Sequence, residues 1–262
     1  MPPIQHKREA YWFYFVVSRV YDRWVNPLFW TPAMRSRALE LARLGPALEV
    51  LDVGAGTGFT TEGIVEQADA ERVTLLDQSP HQLARARAKP QLAACRIVRG
   101  DAEELPFPTD SADRYVSAGS IEYWPDPQRG IAEAYRVLRP GGIALVIGPL
   151  SPSNALARRL ADAWMLFPRE EEYRAWFAAA GFADVEVRPL APTWHSGSYA
   201  VAVAGRKPAA GSSPLQLAPP EPPDARMTPR RWLRFAGGSL AGLAFVPVAI
   251  ALTLRERVRR RR

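Results

Sequence analysis

A chain of 262 residues is long enough for one mid-sized α/β domain with a short appendage, and long enough to bury a core. A single cysteine, Cys95, excludes an intramolecular disulfide and a cysteine-based metal cage, and three histidines at 6, 81 and 195 show no metal-ligand spacing, so no metal is expected. The net charge of +7 is localised: residues 226–262 carry ten arginines against Glu256 (+9), which leaves −2 for everything before them, and a basic tail beside an apolar run fits an anionic lipid surface better than nucleic acid.

In chain order, the sequence divides into four parts: an aromatic-rich lead-in (1–45), a body (46–206), a proline-rich linker (207–229) and a basic, apolar C-terminal segment (230–262). Residues 10–30 of the lead-in hold nine of the chain's twenty-six aromatics. These rings either pack on the core or form a helical lid over a site that also touches a membrane, and one helix can do both. The body alternates short apolar runs with helical stretches, the pattern of a mostly parallel sheet wrapped by helices. It predicts strands at 49–53, 72–77, 95–99, 113–118, 142–148, 183–188 and 199–206. A helix is predicted from Arg169 to Ala180, stopped by Gly181. The linker, KPAAGSSPLQLAPPEPPDARMTP, is too poor in apolar surface to order itself and is expected to be extended. Phe235 to Leu254 is a run of twenty uncharged residues with arginines at both ends. At about 1.5 Å per residue it would match a bilayer core of roughly 30 Å, so it predicts a C-terminal transmembrane helix, with Pro247 as a possible kink and a surface-lying segment as the second choice. The start of the chain has no cleavable signal, because the apolar stretch at 10–18 is broken by Arg19.

The strongest local signal is VLDVGAGTGFTTEG (50–63). A strand ending in Asp52 runs into Gly54-Ala55-Gly56-Thr57-Gly58 and then a helix. Glycines allow a tight turn and close backbone approach to a ligand, and a helix N-terminus offers N–H groups to an anion. The dinucleotide fingerprint would place its third glycine at Phe59; the tighter spacing here is similar to the first motif of class I S-adenosylmethionine-dependent methyltransferases. Asp77 ends the second strand, 23 residues after Gly54, where an acid can accept both hydroxyls of a ribose. Asp101 follows the third strand, near the place of an adenine. Gln78, Ala102 and Ser117, at the ends of strands two, three and four, complete the candidate cofactor set, since ligands of open α/β sheets bind at the carboxyl ends of strands. Glu122 and Tyr123, on the loop beyond the fourth strand, are the candidates for contacting a reacting hydroxyl, with His81 and His195 as alternative proton acceptors. Candidate substrate contacts are Trp12, Tyr14, Tyr21 and Trp124.

Beyond single motifs, QHKREAYWFYFVVSRVYD, VGAGTGFTT, LLDQSPHQLARA, GDAEELPFPTDSADRYVSAGSIEYWPDPQRGIAEAYRVL, WMLFPREEEY and SSPLQL resemble the plant-type 2-methyl-6-phytyl-1,4-benzoquinone/2-methyl-6-solanyl-1,4-benzoquinone methyltransferases across nearly the whole chain up to the linker. The resemblance implies S-adenosyl-L-methionine as cofactor and C-methylation of a prenylated benzoquinol ring in tocopherol and plastoquinone synthesis. It also implies a single-pass anchor in the plastid inner envelope, with membrane lipid as a partner. The absence of a transit peptide points to a mature form or to the membrane of a photosynthetic bacterium. The stretch 191–205 is shorter than in that family. Other readings are a methyltransferase acting on a sterol or another quinol, or a catalytically silent cofactor-binding membrane protein; nucleic acid is not an expected partner, and the oligomeric state is left open.

Overall fold

The chain is described by a computed structural model over residues 30–192, 199–217 and 228–259. Seven strands form at the seven apolar runs: β1 (Val50–Val53), β2 (Val73–Asp77), β3 (Arg96–Arg99), β4 (Ala112–Ala118), β5 (Leu138–Pro149), β6 (Ala183–Leu190) and β7 (Ala200–Arg206). They make one sheet in the order β3-β2-β1-β4-β5-β7-β6. The first five are parallel, and β7 runs antiparallel between β5 and β6. The helices are α1 (Pro32–Leu39), α2 (Phe59–Val65), α3 (Pro80–Arg87), α4 (Pro127–Val137), α5 (Ala155–Trp164), α6 (Glu170–Ala180) and α7 (Pro229–Arg259). This is the Rossmann-like α/β class expected of the sequence.

The central strands are buried on both faces, which is why β1, β5 and β7 read as near-continuous apolar runs, whereas the edge strand β6 alternates. Leu51, Val53, Leu76, Tyr115 and Val146 point to the α4–α6 side. Val50, Leu75, Val116, Leu145 and Ile147 point to the α1–α3 side. The strand period of two divides consecutive residues between these two cores. Local chemistry starts the helices where the sequence places them. Ser79 caps α3 by accepting from the Gln82 N–H, and Asp126 caps α4 by accepting from the Arg129 N–H, each followed by a proline at the first helical position. Gly181 ends α6 in a left-handed conformation at φ 95°. Most boundaries shift by one or two residues, and one by more: β5 begins at Leu138, not 142, because Leu138 pairs with Ala112 ahead of Gly141 and Gly142.

Two predicted tail elements differ more. Residues 207–217 take no regular structure, yet they are tied to the domain. The fully buried Lys207 Nζ donates to Asp110 Oδ1 (2.6 Å), to the Gly211 carbonyl (2.6 Å) and to the Arg136 carbonyl (3.3 Å), and lies 4.7 Å from the centre of the Tyr135 ring. Gly211 N donates back to Asp110 Oδ2, and Ser213 Oγ to the Ala180 carbonyl. Polar anchoring at fixed points holds a segment that apolar burial could not.

The predicted membrane-spanning helix and single-pass membrane localisation are overturned. Among the described residues, no helix is long and apolar enough to cross a membrane. α7 occupies the predicted segment, but Gly237, Gly238, Ser239, Gly242 and Pro247 dilute its apolar content. One of its faces is also taken up by the domain: Phe245 packs on Trp164 and Phe167, with ring centres 5.8 and 5.4 Å apart, and Gly242 lies so close to Trp164 that a Cβ would sit 2.6 Å from the indole.

Replacing Lys207 by Met should keep the aliphatic packing and remove the three donors. Urea unfolding should show a loss of about 2–3 kcal/mol, the scale of charge-assisted hydrogen bonds whose partners are left behind.

Candidate active site

Strand order reverses at β1, whose neighbours β2 and β4 connect away in opposite directions, and a cleft opens at the carboxyl ends of these strands. It encloses about 200 Å³. The turn after β1 forms its floor. Gly54 and Ala55 N–H groups both donate to the Leu76 carbonyl, and Gly58 N–H donates to the Ala55 carbonyl. The three glycines meet three different demands. A side chain on Gly54 would collide with Ser120 of the loop after β4, and one on Gly58 with Leu92. Around Gly56 there is nothing within 4 Å of a Cβ position, so its open side faces the cleft.

Asp77 fastens this floor. Its Oδ2 accepts from the Gly56 N–H (2.9 Å) and its Oδ1 from the Ser79 N–H (2.8 Å), so one carboxylate joins the glycine turn to the start of α3. Burial pushes the Asp77 pKa above the usual carboxylate range, against the pull of these backbone donors. Asp52 lies beneath the turn, 1% exposed, with Oδ2 accepting from Thr61 Oγ1 at 2.6 Å and Oδ1 without a partner. Its carboxyl is pushed up to about 7, chiefly by burial and secondarily by the Asp77 charge, against the Thr61 bond.

The far wall comes from the loop after β4. Gly119 N–H donates to the Ile147 carbonyl, and Trp124 Nε1 to Ser120 Oγ (2.9 Å). The indole of Trp124 fills the space that a side chain on Gly130 of α4 would need. Tyr123 and Trp124 border the cleft. Glu122 stands behind them, 8% exposed, with Oε2 unpartnered. Its Oε1 lies 3.8 Å from where a Cβ on Gly119 would be, and Gly119 itself borders the cleft. Burial pushes the Glu122 carboxyl up to about 7. Behind it, the Tyr173 hydroxyl of α6 donates to the Pro149 carbonyl.

Of the sequence-derived candidates, Gly54, Gly56, Asp77, Gln78, Asp101, Ala102, Tyr123 and Trp124 border the cleft. Asp52, Gly58, Ser117 and Glu122 are buried or packed just outside it. His81 is exposed on α3. Trp12, Tyr14, Tyr21 and His195 lie outside the described residues. The sequence reading missed Gln82, Glu103, Tyr199 and the Ile147–Pro149 edge. Gln82 had a legible signal, sitting on the first turn of α3 just after Asp77. Tyr199 had none, because β7 reaches the cleft only by inserting antiparallel beside β5.

These residues fit a nucleoside carrying an amino-acid chain. The open face of Gly56 leaves room for close approach, paired acids at β2 and β3 suit ribose and base, and the buried, unpartnered Gln82 Oε1 and Asp52 Oδ1 call for donors or positive charge. Residues 51–146 match the family model described as a methyltransferase domain. The chain is 55% identical to the chloroplastic 2-methyl-6-phytyl-1,4-hydroquinone methyltransferase of Arabidopsis thaliana, over 97% of this chain and 78% of that protein. It is 54% identical to the spinach (Spinacia oleracea) protein of the same name, over 97% and 77%. Among solved structures, phosphoethanolamine N-methyltransferase 2 of Haemonchus contortus in complex with S-adenosyl-L-methionine aligns with a TM-score of 0.58 at 18% identity, covering 68% of this chain and 53% of that one, a likeness of fold.

Gly56→Ala should unfold with only the small penalty of a left-handed alanine, about 1–2 kcal/mol, since its Cβ meets no protein atom. Its affinity for S-adenosylhomocysteine by calorimetry should fall at least tenfold. Gly54→Ala should show the reverse emphasis, with a larger drop in thermal midpoint from the Ser120 collision.

Proposed function

The chain belongs to the family of the 2-methyl-6-phytyl-1,4-hydroquinone methyltransferases, and on that premise we propose how its cleft methylates the ring of a prenylated hydroquinone, a step of tocopherol and plastoquinone synthesis. The observation that carries the reading is that the open face of Gly56 and the loop from Gly119 to Trp124 border a single cleft, so methyl donor and acceptor ring share one enclosed space.

When bound, S-adenosylmethionine supplies an electrophilic methyl group. Asp77 and Gln78 hold the ribose, Asp101 and Ala102 the adenine side, and Gly56 the amino-acid chain; Asp52, Gly58 and Ser117 support this set from below. The hydroquinone ring lies against Tyr123 and Trp124, whose flat apolar faces align a ring carbon with the methyl group. A ring carbon becomes nucleophilic as its neighbouring hydroxyl loses a proton, and Glu122, reached past the bare backbone of Gly119, accepts that proton. The ring carbon takes the methyl group, leaving S-adenosylhomocysteine, and then releases its own hydrogen as a proton, which restores the aromatic hydroquinone. A phenol ionises near pH 10 and the Glu122 carboxyl at about 7, so full transfer in the ground state costs about 4 kcal/mol. That is small enough for the growing carbon–carbon bond to offset, and a carboxyl poised near neutrality is well matched to the task.

The proposal is checked with labelled S-adenosylmethionine and 2-methyl-6-phytyl-1,4-hydroquinone. Labelled product from the wild type is the expected outcome. Only ionised Glu122 can accept a proton, so kcat should rise with pH through about 7 and level off above it. Glu122→Gln should lower kcat by about 10²–10⁴, remove that rise and leave the affinity for S-adenosylhomocysteine unchanged. A Gln variant that keeps both activity and the rise would exclude Glu122 as the acceptor.

A further inference from the structure

Ser120 stands where the two sides of the cleft meet. It borders the cleft, and its side chain occupies the space that a side chain on Gly54 would need, so it packs on the glycine turn. Its Oγ accepts the indole N–H of Trp124 at 2.9 Å, which ties it to the far wall. The backbone around it is held on both sides: Gly119 N–H donates to the Ile147 carbonyl, and the Ser120 carbonyl accepts from the Tyr123 N–H. Glu122 follows two residues later, in the short turn Ile121–Tyr123.

A serine hydroxyl has one hydrogen to donate and two lone pairs. At Ser120 the indole takes a lone pair, and the hydrogen has no acceptor among the described residues. The turn that Ser120 precedes does not use the side chain either, which makes no capping hydrogen bond there. Buried polar groups are hydrogen-bonded, and a ligand filling the cleft would bury this one. The acceptor therefore comes with the ligands.

Two ligand groups can bring negative charge to the cleft: the carboxylate of the cofactor, and the hydroquinone oxygen as it loses its proton. The open approach for the first is at Gly56, whereas Ser120 itself closes the side of Gly54. The second lies against Trp124, the hydrogen-bond partner of Ser120, and beside the turn that carries Glu122. We infer that Ser120 donates its hydroxyl hydrogen to the hydroquinone oxygen that Glu122 deprotonates, and stabilises the charge left there until the ring carbon takes the methyl group. The inference rests on the reading of the acceptor as a prenylated hydroquinone. No proton leaves Ser120: Glu122 takes the proton, and Ser120 contributes a hydrogen bond that strengthens as the oxygen becomes anionic. A donor already oriented by the indole needs no reorganisation at the moment of reaction.

The test is a double-mutant cycle on the full chain: wild type, Ser120→Ala, Trp124→Phe and the double variant. Each is assayed with labelled S-adenosylmethionine and 2-methyl-6-phytyl-1,4-hydroquinone. The cycle is needed because Ser120→Ala also takes an acceptor from the indole, whereas Trp124→Phe removes that N–H and leaves the hydroxyl in place. Rates are expressed per S-adenosylhomocysteine site titrated by calorimetry, so a partly unfolded variant still returns a value. Replacing Ser120 should lower kcat by about 10²–10³, to a similar extent in the tryptophan and phenylalanine backgrounds, with the affinity for S-adenosylhomocysteine unchanged. An unchanged kcat would overturn the inference. So would a loss confined to the tryptophan background, which would make Ser120 only a support for the indole. A fall in S-adenosylhomocysteine affinity with kcat kept at saturating S-adenosylmethionine would overturn it in favour of the cofactor carboxylate. A wild-type chain that forms no labelled product fails the substrate reading beneath the inference, an outcome separate from any difference among the variants.

Discussion

The pocket depends on one carboxylate placed at the end of β2. Asp77 accepts from the Gly56 and Ser79 N–H groups, one through each oxygen. The turn after β1 and the start of α3 are consequently fixed to each other across neighbouring strands. The loop after β4 is fixed in turn, because Ser120 occupies the space left by Gly54 and receives the Trp124 indole N–H. The floor of the cleft and its far wall are thus joined, by hydrogen bonds within each and by the packing of Ser120 on Gly54 between them. That coupling matters for methyl transfer, where a displacement of about 1 Å between the reacting atoms can cost 10²-fold in rate.

Burial does a second kind of work around this floor. Asp52 and Glu122 are enclosed without a cation, and each carboxyl is pushed up to about 7. Their roles differ because their surroundings differ. Asp52 lies under the glycine turn, held by Thr61 and raised further by Asp77, so positive charge arriving with the cofactor would favour its ionised form. Glu122 is raised by desolvation, with no neighbouring charge among the causes, and its Oε2 has no partner. The same physical effect thus leaves two carboxyls poised near neutrality in different surroundings.

Outside the sheet, the C-terminal third is tied down by contacts that composition alone does not announce. A lysine in a proline-rich stretch ordinarily reads as a solvated charge. Lys207 is instead enclosed, because Asp110, two carbonyl oxygens and the Tyr135 ring together replace its water. Gly242 similarly reads as a helix weakener, yet its missing side chain is what lets α7 settle on Trp164. Each is a local irregularity whose meaning depends on a residue at least 70 positions away.

What the sequence determined by itself was whatever local periodicity and short-range spacing control. The seven strands, the glycine turn with Asp77 at its correct distance, the acid after β3, the caps at Ser79 and Asp126 and the Gly181 stop all follow from side-chain alternation and turn chemistry within a few residues. The class of cofactor followed as well, because those motifs lie at strand ends, where parallel sheets bind ligands. Only the tertiary structure decided which glycine faces the cleft, that Glu122 stands behind Gly119, that Tyr199 and Gln82 border the cleft, and that the uncharged run packs on α5 through Ala241, Gly242 and Phe245. An apolar run states that a segment leaves water but not what it will be packed against. That choice depends on shape matching between distant elements, such as Gly242 against Trp164, and such matching exists only once both are in place.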